Sequence, residues 1–333
     1  MNKLKYFLSI HPNISIAPTH HTMSLLSNTE TIPTTTYLAT KNPHPRDAHI
    51  HFDEGPHKYT IQGINGITPE TEFTSVTTSV HQHFEHFDAK KIIDAMMRNT
   101  KKWNDPIANA KYYGKTAEEI EEMWKKAGQD AAAKGTAMHY KIECFYNDIV
   151  DESAPESLEI VYFKNFHNEF VACEEPTLRP YRTEWTVFHE EAQIAGSIDM
   201  VYEDLSASRA PQQGGIQRSI NRCGAETPPS LAIYDWKRCR EITKTNRANK
   251  FATHSAIEHL PDTNYWHYAL QLNIYKYILE TKYDKTVTDL YLIVLHPEAQ
   301  NYQRIKLPDL QSEVAELFEE RIRNFAAAAA AAK

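Results

Sequence analysis

Leu231-Ala232-Ile233-Tyr234-Asp235-Trp236-Lys237 decides how this chain is read. Four apolar residues lead into an acid, a spacer and a lysine, which predicts a buried strand delivering two charges to its rim. Side chains two apart on a strand share a face. Asp235 and Lys237 therefore point together, a carboxylate suited to a metal ion beside an ammonium suited to a phosphate or a water. Upstream, Gln193-Ile-Ala-Gly-Ser-Ile-Asp199-Met-Val-Tyr202 predicts a second strand with its own acid. Thr183 to His189 is expected to pair antiparallel with it, and Asp289 to His296 adds a further strand.

Around these strands the apolar spacing predicts helices near 88–99, 106–113, 116–148 and 157–172. Two more are predicted over Asn264 to Thr281 and Leu307 to Phe325. Ser75 is a natural helix cap. The 116–148 stretch reads as two helices, or as one bent near Gly135. His49 to Asp53 and His57 to Ile61 alternate as a small hairpin around Glu54-Gly55-Pro56. Residues 1–47, rich in Thr, Ser, Pro and His, read as a disordered or targeting leader; the first 29 contain no Asp or Glu. Residues 48–325 form one expected domain. It comprises a helical wall over 88–172, a core over 177–300 and a flexible, apolar-poor insertion over 205–230. The Ala-rich tail, 326–333, is given no function.

At 333 residues, with 41% hydrophobic and 24% charged content, the composition is that of an ordinary globular protein. No apolar run is long enough to cross a bilayer, and no membrane partner is expected. Cys144, Cys173, Cys223 and Cys239 lie far apart, with no C-x-x-C pair. A reducing intracellular compartment is the better expectation, with cytoplasm, nucleus and mitochondrion left open. A net charge of −8 argues against a nucleic-acid partner until its distribution is read. Lys237 to Lys250 holds six basic residues against one acid. Arg238, Arg240 and Lys244, directly after Lys237, are therefore candidates for holding a phosphate backbone.

Phosphodiester hydrolysis needs a metal to neutralise and orient the phosphate, an activated water and stabilisation of the leaving oxygen. Asp199 and Asp235, each ending an apolar strand, can converge on one ion of magnesium or manganese, which prefer oxygen ligands. Lys237 then orients or deprotonates the water, or stabilises the phosphate. His139 is a candidate ligand from a helix, with Gly135 a turn earlier and Glu143 a turn later as its partner. Gln271 and Tyr275 also share a helical face. Gln271 stands in an apolar stretch and suits a phosphate contact or a hold on the lysine, or is simply a satisfied buried amide. Glu184 reads either as a second metal or substrate contact or as a salt-bridge partner of Arg182. His81, His83 and His86, clustered around Phe84, carry a weaker transition-metal reading.

Gly135-x-x-x-His139, Gly196-x-x-Asp199, Asp235-x-Lys237 and Gln271-x-x-x-Tyr275 follow one another in an order that resembles the PD-(D/E)XK nuclease superfamily, specifically its RecB-type exonuclease branch. Ser75-Val-Thr-Thr and Lys134 to His139 are also similar to viral, phage and mitochondrial genome maintenance exonucleases of that branch. The resemblance spans about residues 48 to 300. It implies an α/β fold, a restriction-endonuclease-like mixed sheet flanked by helices, with a helical wall or arch over the cleft. It implies that His139, Asp199, Asp235 and the Trp236 carbonyl bind Mg2+ or Mn2+, and that Lys237 is catalytic.

The implied activity is a metal-dependent deoxyribonuclease, an exonuclease at free single-stranded or duplex DNA ends in replication, repair or recombination. A helicase, polymerase or other replication protein is its expected company. The alternatives are an RNA endonuclease of the cap-snatching kind and a catalytically silent nucleic-acid-binding protein. Two features depart from the pattern. Asp199 and Asp235 are 36 positions apart, where the family joins these strands by a tight turn. No cysteine follows Cys239, so the iron–sulfur cluster of some members is not expected.

Overall fold

Runs of β-branched and aromatic residues alternate with helical blocks along the chain, and the backbone follows them. The computed structural model describes residues 37–149, 156–206 and 229–331. Its strands are β1 (Ile50–Asp53), β2 (Lys58–Ile61), β3 (Thr74–Ser75), β4 (Leu178–His189), β5 (Ile194–Asp204), β6 (Ser230–Lys237), β7 (Thr286–Val294) and β8 (Gln303–Lys306). β1 and β2 form the predicted hairpin. The other six make one mixed sheet. β4 pairs antiparallel along one edge of β5, while β3 and β6 share the other edge. β3 runs parallel to the start of β5, and β6 runs antiparallel to its end. β7 continues parallel to β6, and β8 closes the sheet antiparallel. β8 was not foreseen, being only four residues with no fully buried position.

Helices cover both faces, so β6 is apolar throughout rather than alternating. Leu231 and Ile233 pack on the face held by the Asn264–Lys282 and Gln311–Ala331 helices. Ala232, Tyr234 and Trp236 pack on the opposite face, with Met138 and Ile142 of the long Ala117–Tyr146 helix and Phe163 and Phe166 of the Leu158–Phe170 helix. Asp235 and Lys237 continue the line of Leu231 and Ile233, as strand alternation requires. They therefore face the Asn264–Lys282 helix.

The long helix is continuous for 30 residues, so Gly135 neither splits nor bends it into two. Its start is fixed reciprocally: Thr116 Oγ1 accepts from Glu119 N, and Glu119 Oε2 accepts from Thr116 N. The helix expected over 106–113 is instead a run of turns. Asp105 accepts from the backbone of Ile107 and Ala108, the local competition that makes Asp a turn former. Ile93, Tyr112, Ile120 and Trp124 give this helical region a small core of its own.

The leader boundary at 47 also needs correction. Tyr37–Lys41 is a helix and Pro45–His49 a 3-10 turn, both seated on the domain. Leu38 is buried, and its N–H donates to Asn147 Oδ1. Asp47 accepts from Arg182 and from Trp185 Nε1 on β4. The rest of the expected leader, 1–36, lies outside the described residues, as do 207–228 of the expected insertion. β5 and β6 pair directly across that interval. The Ala-rich tail continues the last helix to Ala331.

Candidate active site

The site forms where β5 and β6 part. Their pairing runs from Glu203↔Leu231 to Met200↔Tyr234 and stops there. One residue further on, the Asp199 carboxylate fills the opening strand gap, with its Oδ2 accepting from Trp236 N at 2.9 Å. A side chain thus takes the place of the next ladder bond, and both acids sit at the fork. Across β5, Glu184 lies opposite Asp199 but outside the ladder, between the pairs Thr183↔Met200 and Trp185↔Ile198. Its φ of 42° is left-handed, a conformation costing a non-glycine residue about 1–2 kcal/mol. The face alternation of β5 inverts at the same point: Ile198 and Val201 join one core face, Met200 and Tyr202 the other. Strain held by surrounding packing is a feature of functional sites.

From the opposite face the long helix brings in His139. Its Nε2 lies 2.9 Å from the Trp236 carbonyl. A carbonyl only accepts, so Nε2 carries the proton and Nδ1 turns to the acids, 3.5 Å from Asp199 Oδ2 and 3.9 Å from Glu184 Oε1. Donor atoms of His139, Glu184 and Asp199 all lie within 4.8 Å of one another. Asp235 stands beside this trio, with its Oδ2 2.7 Å from Lys237 Nζ.

Burial opposes charge at each of these groups, and their neighbours decide the outcome. Burial pushes His139 down, yet the Asp199 and Glu184 carboxylates override it and raise the imidazole to about 9. Burial lifts Asp235 to about 7 against the pull of Lys237, with the Asp199 charge adding to the rise. Asp199 is also raised by burial, against the pull of His139. Lys237 is lowered by burial but raised overall by Asp235 and Asp199, so it remains an ammonium. Three carboxylates converge with one proton held on His139, an arrangement that a divalent cation would relieve.

The donor set fits Mg2+ or Mn2+: two carboxylates and one imidazole nitrogen at ion-binding separation. Relative to the expected set, Glu184 joins His139 and Asp199, while Asp235 is engaged by Lys237. The Trp236 carbonyl orients His139. That carbonyl holds the ring nitrogen that faces away from Asp199 and Glu184.

Gln271 and Tyr275 lie behind β5. The buried Tyr275 phenol interacts with the Gln271 amide and with the Asp199 charge. A Cβ on Gly196 would meet Tyr275 Cε1 and Oη at 2.8 Å and Val76 Cγ2 at 2.9 Å. Gly196 is therefore glycine because Tyr275 occupies the space of its side chain. The Gly-x-x-Asp and Gln-x-x-x-Tyr motifs are two halves of one contact.

Three contributors escaped the sequence reading. Ser197 Oγ donates to Glu184 Oε2 at 2.9 Å, and its place between Gly196 and Asp199 was the available signal. The Tyr268 ring lies 4.6 Å from Lys237 Nζ, one turn before Gln271 on the same helix. Tyr59, from the β1–β2 hairpin, senses the Glu184 charge; nothing in its local sequence announces that.

Of the basic strip, Arg238 is bound to Glu159 at 2.6 Å and Arg240 is paired with Glu298. Arg238 is thus held by a largely buried acid, whereas the Arg240 pair is about half exposed and is a weak surface interaction. Lys244 is exposed, with Nζ 4.4 Å from the Tyr265 ring centroid. The histidines around Phe84 separate: His81 packs near His267 and His83 near His254. Burial lowers His81 and His83 to about 4. They do not converge on one centre.

No family model matches this chain, and no curated protein matches it in sequence. Among the described residues, no helix is long and apolar enough to cross a membrane.

Proposed function

We propose that this protein is a metal-dependent nuclease of the restriction-endonuclease-like PD-(D/E)XK type, and that it hydrolyses DNA from free ends. The observation that carries the reading is the fork between β5 and β6, where Asp199, Asp235 and Lys237 meet His139 from the far side of the sheet. His139, Asp199 and the Asp235–Lys237 pair come from three separate elements and support the reading by meeting there, while Tyr275 packs against Gly196 behind β5.

His139, Glu184 and Asp199 would hold Mg2+ or Mn2+, which supplies charge neutralisation at the phosphate and a more acidic water. Asp235 keeps Lys237 charged and aimed. As an ammonium, Lys237 acts by donating hydrogen bonds to the attacking water or a phosphate oxygen, not by removing a proton. Ser197 fixes one oxygen of Glu184 and leaves the other facing His139. Tyr275 and Gln271 brace the backbone that carries Asp199. The exposed Lys244 is well placed in sequence to meet the substrate strand beyond the site.

The test is cleavage of end-labelled linear single-stranded DNA, duplex DNA, closed circles and RNA by the purified protein with magnesium or manganese. Asp235→Ala serves as the contamination control. Shortening of linear DNA that spares circles and is lost in the variant supports the reading. Cleavage of RNA or of circles moves it to an endonuclease. Binding without cleavage of any substrate moves it to a non-catalytic nucleic-acid-binding protein.

A further inference from the structure

The chain carries a net charge of −8, yet the stretch 98–115 runs the other way. Arg98, Lys101, Lys102, Lys111 and Lys115 face a single acid in it, Asp105. The Asp105 carboxylate is occupied by the backbone of Ile107 and Ala108 at 2.9 and 3.0 Å. Arg98, Lys101, Lys102 and Lys111 are exposed. Two uncharged groups stand open between them: Ile107 is 89% exposed and Tyr113 53%. Cations with no ion pair among the described residues, interleaved with an open ring and an open aliphatic group, suit a single strand of nucleic acid. Such a strand offers phosphates to the cations and base faces to the ring. An acidic peptide would meet the cations too, but it lacks the regular row of flat bases that a strand offers to an open ring.

This surface is tied rigidly to the site. Trp124 Nε1 of the long helix donates to the Tyr112 hydroxyl at 3.0 Å, and the same helix carries His139 fifteen residues on. At 1.5 Å per residue, Trp124 stands about 22 Å along the helix from His139, so the 98–115 face lies several nucleotides of a stacked strand from the site. We propose that the 98–115 face anchors the sugar–phosphate backbone of a single nucleic-acid strand several nucleotides from the metal-binding fork. The proposal rests on the nuclease reading for what lies at that fork.

The experiment is fluorescence anisotropy of the full chain with labelled oligothymidylates of five and twenty nucleotides, over 50–300 mM salt in calcium. Wild type is compared with the exposed-site variant K101E/K102E/K111E, whose folding is verified by circular dichroism. In wild type the 20-mer binds far more tightly than the 5-mer. In the variant most of that gain is lost, at least tenfold for the 20-mer. The log–log salt slope becomes shallower by about 2, three phosphate contacts at 0.7 each. An unchanged length gain and salt slope in the folded variant overturns the proposal. So does an effect confined to vesicles containing phosphatidylserine, tested in parallel. Failure of the nuclease reading would be seen separately, as absence of cleavage by a wild-type protein that still binds the 20-mer in a Lys101-dependent way.

Discussion

His139 makes the metal-free protein lose stability as the pH rises, and the loss can be worked out from the site. Its ordinary value is 6.5 and its value in the folded chain about 9. Burial lowers it, but Asp199 Oδ2 at 3.5 Å and Glu184 Oε1 at 3.9 Å raise it further. A group whose folded value lies above its unfolded one stabilises fully below the unfolded value, and the contribution fades as the pH passes the folded one. The window therefore runs from about pH 6.5 to 9. Its full size is about 3 kcal/mol at 1.36 kcal/mol per unit, an upper value because the side chain remains 27% exposed.

The assay is urea denaturation in EDTA at pH 6.5, 8 and 9.5, with His139→Gln as the reference that lacks the imidazole and its pull on Asp199 and Asp235. The wild-type advantage over the variant should shrink by about 2–3 kcal/mol across the series. A constant difference, within about 0.5 kcal/mol, would refute the proposed charge balance. Magnesium should reverse the effect below pH 9, because a cation at Nδ1 replaces the proton. Calorimetry in buffers of different ionisation enthalpy should then register about one proton released per ion bound.

Gly196→Ala places a methyl 2.8 Å from Tyr275, an overpacking expected to cost about 1–3 kcal/mol in denaturant unfolding. Tyr275→Leu in the same chain should recover part of that loss, and strict additivity would count against the contact. Asp47→Ala removes the carboxylate facing buried Arg182 and Trp185 Nε1. A loss of about 2 kcal/mol is expected, discounted from the buried-pair range because Asp47 is partly exposed; a loss below ~0.5 kcal/mol would show that the 37–47 segment is not anchored there. Lys237→Met should reduce turnover about 100-fold or more while calorimetry still detects magnesium. Near-normal turnover in that variant would remove the catalytic assignment.

The sequence alone specified most strands and helices, because two-residue and 3.6-residue apolar periods and a cap such as Ser75 act over a few residues. It also marked Asp199, Asp235, Lys237, His139 and Gln271 as polar groups set in apolar contexts. Turn chemistry at Asp105 outweighed helical spacing over 106–113. Leader-like composition concealed that Leu38 and Asp47 dock on the domain, since their partners, Asn147, Arg182 and Trp185, are more than a hundred residues away.

Tertiary structure alone decided which acids meet which cations. Asp235 is taken by Lys237 and Arg238 by Glu159, while Glu184 is turned towards His139 by a left-handed backbone. A one-residue shift in where β5 and β6 separate would redirect Asp199. Where that pairing ends, at Met200↔Tyr234, is a matter of long-range register that local pattern does not encode. Gly196 shows the two levels meeting: the residue is visible in the sequence, but the reason for it is Tyr275, 79 positions later.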